Sequence, residues 1–436
     1  MAEYKPNTKI PCVYMRGGTS KAVFFLDEDL PKDEAQRDKV ILSAFGSPDG
    51  RQIDGMGGAN TSTSKAVFFH DEDLPKDEAK RDKVILSAFG SPDGRQIDGM
   101  GGANTSTSKV AVIKKSERPG IDVDYTFGQV DVFNPIVGKT MNCGNISSAV
   151  GPYAIDEGLV EAVEPMTEVH IWNTNTNKEI IEQVPVKDGR AVTEGDFAID
   201  GVPGTAARVV LKFVAPQGAA SGKLLPTGNP KDTIEVEGKT YEYSFVDAAN
   251  PVMFVHPEDF GVTGTETPAQ FNARPDVEEI KRKLEVIRGT GAIILGFAKD
   301  LEDARVNSQT LPKLAFARKP VDYTAGSGKE IKAENIDLVG RLFSMNMKMI
   351  DAYMGTGAIC TVTAANTPGT IVNEIVCGEG KHPDNHAEHI RIGHPWGIMD
   401  AYADLQDHPD GTHTVLSGNL DRTARRIMEG YVYVRE

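Results

Sequence analysis

The sequence predicts an α+β fold of two similar halves, each with short strands wrapped around one helix rich in small residues. Apolar and polar residues alternate with period 2 in DVDYTFGQVDVFN, which is typical of antiparallel sheet, and the second half repeats the plan with strands around TIEVEGKTYEYSFVD. Each half also has a Gly-rich segment that opens a helix, at residues 142–151 and 355–358. A Pro- and Gly-rich stretch at 215–231 separates them, so we expect pseudo-symmetric domains over 1–222 and 223–436, with a cleft between them. The last strands are free to return to the first domain.

A tandem repeat lies near the N-terminus. Residues 21–64 recur at 65–108 with two differences, which leaves 436 − 44 = 392 non-redundant residues. Only one copy can occupy the native position, so we expect the other copy to be extruded. Insertions cost least in exposed turns, so the break is expected near 47–50 or 27–32, or their counterparts in the second copy. The differing pairs are Leu26 with His70 and Gln36 with Lys80.

The remaining strands and helices are predicted from hydrophobic periodicity and from Gly and Pro residues that mark turns and element ends. In the first copy of the repeat we expect a strand at 22–25 and a helix at 33–45. Strands are expected in VAVIKKS, EVHIWNTNT, KEIIEQVPV, RVVLKFV, PVMFVHP, TIVNEIVCG, HIRIGHP and YVYV, and at 291–297. Further helices are expected from 142–151 to about 163, at 276–286, at 337–353, and from 355 to a point before Pro368.

Composition narrows the function class. Acidic residues outnumber basic ones by 63 to 47, and the net charge of −16 disfavours nucleic acid and anionic membranes as partners. No apolar run is long enough for a signal peptide or a membrane span, so we expect a cytoplasmic protein. Four scattered cysteines suit neither a disulfide framework nor a paired metal site. A small-molecule enzyme without a metal is the leading class, and homo-oligomerisation stays open.

The segment around Cys143 carries the clearest chemical signal. Cys143 is flanked by Asn142 and Gly144 just before a predicted helix, where unpaired backbone N–H groups and the helix dipole favour a thiolate. Such a cysteine can serve as an acid, a base or a nucleophile. The alternative is a small buried cysteine in a tight turn, since free cysteine is among the most buried residue types.

A Gly-rich loop, GMGGANTSTSK, precedes the strand VAVI and ends at Lys109. Gly101 and Gly102 allow a close backbone approach to an anion, while Asn104, Ser108 and the lysine add polar groups for a carboxylate. The loop lacks the third glycine of a dinucleotide-binding motif, and two other glycine segments fail the P-loop spacing. We therefore predict no nucleotide binding.

Four motifs together resemble the PrpF-like family of 2-methylaconitate and 3-methylitaconate isomerases, which includes 4-oxalomesaconate tautomerases. They are RGGTSK at 16–21, the GMGGANTSTSK loop, GNISSAVGP after Cys143, and RTARRIMEGYVYV near the C-terminus. The resemblance spans essentially the whole chain once one repeat copy is removed. It implies the diaminopimelate-epimerase-like fold, with the active site between two helix N-termini. It also implies cofactor-independent proton transfer within unsaturated di- or tricarboxylates by a cysteine and a lysine.

The resemblance places the catalytic cysteine at Cys143 and the lysine at the end of the Gly-rich loop. Both Lys65 and Lys109 end such a loop, and we prefer Lys109 because it runs directly into the family-like strand. Which of the two groups is acid and which is base stays open. Diaminopimelate epimerase would have a second cysteine at the position of Met354, whose thioether cannot shuttle a proton. Epimerisation by two thiols is therefore disfavoured.

A polycarboxylate substrate also needs hydrogen-bond donors. The candidates are Asn145, Thr356, Gly357 and the loop residues, with Arg16, Asn250 and His394 as weaker candidates. Two alternatives remain, a cysteine-dependent hydrolase and a catalytically impaired carboxylate-binding member of the same fold.

Overall fold

The fold is that of a computed structural model. It describes residues 8–17, 20–45, 109–130, 137–138, 142–200, 205–378, 386–408 and 413–434. The predicted α+β class is confirmed, because strands dominate and helices are few and mostly short. No helix in these ranges is both long and apolar enough to cross a membrane.

The strands of the described ranges are numbered in chain order. They are β1 Thr8–Gly17, β2 Ser20–Leu26, β3 Lys109–Lys115, β4 Val123–Val130, β5 Val137–Gly138, β6 Met166–Asn173, β7 Lys178–Lys187, β8 Arg190–Ala191, β9 Val209–Val214, β10 Asp232–Val236, β11 Lys239–Ala248, β12 Asn250–Val255, β13 Lys313–Arg318, β14 Tyr323–Thr324, β15 Glu330–Ile331, β16 Leu338–Ser344, β17 Lys348–Met349, β18 His389–His394, β19 Gly397–Asp407, β20 His413–Arg422 and β21 Ala424–Val434.

The α-helices are numbered in the same way. They are α1 Glu34–Phe45, α2 Gly144–Ser147, α3 Val150–Asp156, α4 Pro268–Asn272, α5 Val277–Ile294, α6 Leu301–Asn307, α7 Gly355–Ala365 and α8 Ile371–Val376.

Strand pairing runs as one hydrogen-bonded series. The N-terminal strand group is β21–β1–β2–β3–β4–β6–β7–β9, in spatial order. The C-terminal strand group is β20–β19–β18–β16–β13–β12–β11–β10. Antiparallel pairing of β9 with β20 joins them. Each group contains eight strands, and most neighbouring pairs within each are antiparallel.

The helices with small residues lie inside the fold. Every residue of α7 is buried, and α7 packs on β11, β12, β19 and β20. α2 packs against β1 and β2, while α3 packs against β6 and β7. Residues of α2, α3, α7 and α8 share one hydrophobic core, in which Ile146 and Ile359 are both fully buried. A second core lies between the other face of the C-terminal strand group and α5, around Leu284 and Phe316.

Several predicted elements change type. The expected strand at 291–297 is wrong, because α5 continues to Ile294. The expected helix at 337–353 is replaced by β16, a 3₁₀ turn and β17, and left-handed φ angles of 57° at Asn346 and 48° at Met347 interrupt any helix. The strand expected in TIVNEIVCG is α8, capped by the Thr370 hydroxyl on the Asn373 N–H. The helix expected to reach 163 ends at Asp156.

The first copy of the repeat supplies the described β2 and α1. β2 lies between β1 and β3, and its parallel register places Ala22 opposite Lys109. The segment from 20 to 45 is continuous, and Asp27 accepts hydrogen bonds from Lys32 and Arg37. The second copy lies outside the described residues, so extrusion of that copy and the position of the break stay predictions.

Candidate active site

Cys143 caps the N-terminus of α2. Its backbone is extended (φ −128°, ψ 98°), its carbonyl accepts the Ser147 N–H at 2.9 Å, and 6% of the residue is exposed. Helix geometry leaves the first N–H groups of α2 without intrahelical acceptors. The thiol is therefore held at the positive end of a helix, as the sequence predicts.

Met354 has the same position at α7. It precedes Gly355 with an extended backbone (φ −71°, ψ 139°), and its carbonyl accepts the Ala358 N–H at 2.8 Å. Cys143 and Met354 therefore correspond, as do Gly144 and Gly355 one residue later. The site holds one thiol and one thioether at equivalent helix ends.

The two helix ends touch. A β-carbon placed on Gly144 would lie 2.9 Å from the backbone N of Thr356 and 3.1 Å from the carbonyl carbon of Gly355. A β-carbon on Gly355 would in turn lie 3.2 Å from the carbonyl carbon of Gly144. A side chain at Gly144 would therefore clash with the backbone of α7, whereas one at Gly355 would need its neighbours to move by a few tenths of an ångström.

Asn250 clamps the two ends together. Its Oδ1 accepts the Asn142 N–H at 3.3 Å, and its Nδ2 donates to the Asn142 carbonyl at 3.0 Å and to the Thr356 Oγ1 at 2.8 Å. These contacts use both N–H bonds of the Asn250 amide. Asn142 in turn accepts the Cys143 N–H at 2.7 Å through its own Oδ1. Both N–H bonds of Asn250 are thus engaged within the protein, and its role as a carboxylate ligand stays a prediction.

The start of α7 offers donors for an anion. Within the described residues, the N–H groups of Gly355, Thr356 and Gly357 have no hydrogen-bond acceptor, although all three residues are buried. Buried N–H groups are rarely left unpaired, and a helix N-terminus with free N–H groups favours carboxylates. This supports the predicted role of Thr356 and Gly357, through the main chain.

Arg422, at the end of β20, reaches the same place from the C-terminal strand group. Its Nε donates to the Oδ1 of Asn145 at 3.1 Å, and both residues are buried. Burial lowers the pKa of Arg422 to about 10, so the guanidinium remains charged at neutral pH. The site therefore contains a buried positive charge that the sequence analysis did not single out.

Two buried ionisable side chains, Glu182 and Tyr125, lie next to α3 and α2 respectively. Glu182 accepts the Gly151 N–H at 2.9 Å, and burial raises its pKa well above the ordinary value, which favours the protonated acid. Burial also raises the pKa of Tyr125, with the neighbouring Cys143 contributing in the same direction. Neither group was predicted, because nothing in its local sequence marks it as buried near the cysteine.

His394 is a packed residue of the C-terminal strand group. Its Nδ1 accepts the Trp396 N–H at 3.3 Å, and its carbonyl accepts the Tyr323 hydroxyl at 2.8 Å. Burial, with help from the Arg341 charge, lowers the pKa of His394 to about 3. The imidazole is therefore neutral at physiological pH, and its role as a carboxylate ligand stays a prediction.

Comparison with known sequences identifies the family of this chain. The family described as "PrpF protein" matches residues 7–67 and 62–435, and each range contains one copy of the repeat. The chain belongs to the PrpF family. The 3-methylitaconate isomerase of Eubacterium barkeri is 46% identical over 429 residues, which is 98% of this chain and 98% of that protein. The 2-methyl-aconitate isomerase of Shewanella oneidensis is 37% identical over 446 residues, covering 99% and 98%.

The PrpF fold is also seen in a solved relative. A crystal structure of a methylitaconate-delta-isomerase superposes with a TM-score of 0.72 at 42% identity, covering 99% of this chain and 97% of that one. The predicted fold class is confirmed by this match, and the protein is an isomerase.

For the other predicted site residues, the structure describes either the backbone alone or nothing. Lys109 begins β3 and Arg16 lies in β1, but their side chains are outside the described part. The loop residues Gly101, Gly102, Asn104 and Ser108 lie outside the described residues altogether. The structure brings together Cys143, Asn145, Thr356, Gly357 and Asn250. Arg422 was missed, although it stands in the RTARR motif that carries the family resemblance.

Proposed function

We propose that this PrpF-family isomerase moves a proton within an unsaturated di- or tricarboxylate, such as 3-methylitaconate or 2-methylaconitate, without a cofactor. Cys143 and Lys109 form the acid–base pair. The names of the relatives support this substrate class, since they are isomerases of methylitaconate and methyl-aconitate.

One observation carries the proposal: Cys143 sits where two helix N-termini meet, beside the unpaired N–H groups of α7. Removal of an allylic proton leaves an anion that is delocalised into a carboxylate. N–H donors fixed in a buried site stabilise such a charge far better than water does, because they need no reorganisation as it develops. The thiol is thus adjacent to the groups that would hold the anion.

Met354 restricts the reaction. Its thioether has no exchangeable proton, so the position equivalent to Cys143 cannot supply a second acid or base. Another group has to act with Cys143, and the lysine that begins β3 is our candidate.

The backbone position of Lys109 supports its assignment as the catalytic lysine. Its backbone pairs with Ala22 of β2 and with Gln129 of β4, in the interior of the N-terminal strand group. β2 also packs on the helix that Cys143 caps. The backbone of Lys109 therefore lies one strand away from that contact.

The test is isomerisation in deuterated water. The protein is incubated separately with 2-methylaconitate, 3-methylitaconate and 4-oxalomesaconate, and NMR follows both double-bond position and deuterium uptake. We expect turnover of at least one substrate, with deuterium at the carbon that receives the proton. Cys143→Ser should abolish turnover and Lys109→Ala should lower it by orders of magnitude. Lys65→Ala is the matched control, since Lys65 ends the same loop in the other copy.

Absence of isomerisation and of deuterium uptake on all three substrates would reject the function. Loss of activity in Lys65→Ala with retention in Lys109→Ala would reverse the lysine assignment. A covalent acyl adduct on Cys143 would favour a cysteine hydrolase instead.

A further inference from the structure

Arg422 differs from the other buried arginines in how its donors are used. Arg288 donates to two Glu285 oxygens and to three backbone carbonyls, and so makes five hydrogen bonds. Arg341 donates to four backbone carbonyls. Arg422 makes three contacts: Asn145 Oδ1 at 3.1 Å, its neighbour's carbonyl at 2.7 Å, and the Met399 sulfur at 3.2 Å.

The hydrogen-bonding capacity of Arg422 is therefore unfilled. A guanidinium has five N–H bonds, so two remain without an acceptor in the described part of the chain, and a third meets only a thioether, a weak acceptor. The neighbouring carboxylate, Asp421, pairs with Arg208 at 3.1 Å instead. No carboxylate of the described residues lies within the 4 Å of an ion pair with Arg422. Asp421 and Asp400 act on this charge only from beyond ion-pair distance. A buried cation is costly when no carboxylate contacts it directly, and a ligand carboxylate would supply that contact.

The path of β20 shows where the Arg422 guanidinium lies relative to the helix ends. A β-carbon on Gly418 would meet Ile359 at 2.7 Å, and Leu420 lies 3.2 Å from the β-carbon position of Gly355. β20 thus runs along α7 towards its first residue. Strand residues rise about 3.3 Å each, so Arg422 stands roughly 7 Å beyond the level of Leu420, past the helix end. Its contact with Asn145, the second residue of α2, brings the guanidinium to the end of the other helix as well.

We propose that Arg422 binds one carboxylate of the substrate through the two unused N–H bonds of its guanidinium, and so selects for substrates with at least two carboxylates. This rests on the proposed function and deepens it. The N–H groups of Gly355, Thr356 and Gly357 take the carboxylate into which charge is delocalised, and Arg422 takes another. Asn145 is a positioning residue that holds the Nε side of the fork and leaves the Nη atoms for the ligand.

The experiment is a binding cycle that does not depend on turnover. The probes are methylsuccinate, a saturated dicarboxylate without an allylic proton, and its two monoamides, each of which lacks one charge. Calorimetry measures their affinities for the full-length wild type, Arg422→Gln and Arg422→Lys. Arg341→Lys is the matched control, because Arg341 is equally buried but donates to backbone carbonyls.

A charge-assisted hydrogen bond contributes about 10- to 100-fold to affinity. We expect wild type to prefer methylsuccinate over one monoamide by about that factor. Arg422→Gln should lose this preference while binding that monoamide about as well as wild type does. Arg422→Lys should keep part of the preference, and Arg341→Lys should keep all of it.

An unchanged preference in Arg422→Gln would overturn the proposal, as would equal weakening of all three probes in both Arg422 variants. Turnover by wild type in deuterated water tests the proposed function separately. An active wild type with an unchanged preference in Arg422→Gln would reject the role of Arg422 alone. A wild type that neither isomerises the three substrates nor binds methylsuccinate would reject the function itself.

Discussion

Replacing Gly144 with alanine should separate the two helix ends. The new β-carbon would lie 2.9 Å from the Thr356 N, where ordinary contacts between heavy atoms are about 3.5 Å or longer. Both neighbours are backbone, so α2 and α7 must part by roughly half an ångström. The methyl group would also cover the unpaired N–H of Thr356, one of the donors proposed to hold the anion.

Two measurements follow from this clash. Overpacking of a buried site costs about 1–3 kcal/mol, and about 2–4 °C of Tm accompanies each kcal/mol in a domain of this size. We therefore expect Gly144→Ala to melt about 2–12 °C below wild type. A misplacement of about 1 Å can cost roughly 100-fold in rate, so half that distance predicts a loss of about tenfold in kcat/KM for the isomerisation.

The matched control is Gly326→Ala. Its β-carbon would lie 3.4 Å from a Trp396 ring atom and 3.5 Å from the Pro395 carbonyl oxygen, which are ordinary contacts. Thermal unfolding and steady-state kinetics should leave this control close to wild type. If Gly144→Ala matched Gly326→Ala in both measurements, the close approach of the two helices would not govern the site.

Three further predictions concern buried polar groups. Burial raises the pKa of Glu182, so the wild type loses stability as pH rises above about 4.5, where the unfolded carboxyl ionises. The Tm advantage of Glu182→Gln should therefore grow between pH 5 and pH 8, and a constant difference would contradict this. Burial lowers the pKa of His394 to about 3, so stability should fall by about 1.4 kcal/mol per pH unit as pH drops below about 6.5. Urea unfolding of His394→Gln should lack this slope; the same slope in both proteins would refute the assignment. Asn250→Ala leaves the Asn142 backbone unpaired and should cost about 1–3 kcal/mol and lower kcat more than it raises KM. The exposed Asn229→Ala serves as control, and equal effects of the two would count against the clamp.

Local signals predicted much of the site. A cysteine before a glycine at a predicted helix start places Cys143 at the N-terminus of α2, and the family resemblance places Met354 at the equivalent end of α7. Such predictions succeed because capping depends on a few consecutive residues. Strands exposed on one face, such as β6, were also found by their alternation.

Buried strands and short helices were harder to predict from the sequence. In β16 residues 338–343 are all buried, because α7 and α8 cover one face of the C-terminal strand group and α5 covers the other, so no alternation remains to be read. α8 is only six residues long and apolar, which makes it look like a strand. The Arg422–Asn145 contact joins residues 277 positions apart, and Asn250 joins Asn142 across 108. Pattern analysis over short windows cannot detect such pairs.

The pairing of β9 with β20 has a mechanical consequence. Six residue pairs, from Val209 with Arg422 to Val214 with Ser417, join the two strand groups, while Gly144 and Gly355 touch at their centre. Separating the groups along this seam would break the ladder and the Asn250 hydrogen bonds together. The backbone donors at the two helix ends are therefore held close together before a substrate arrives.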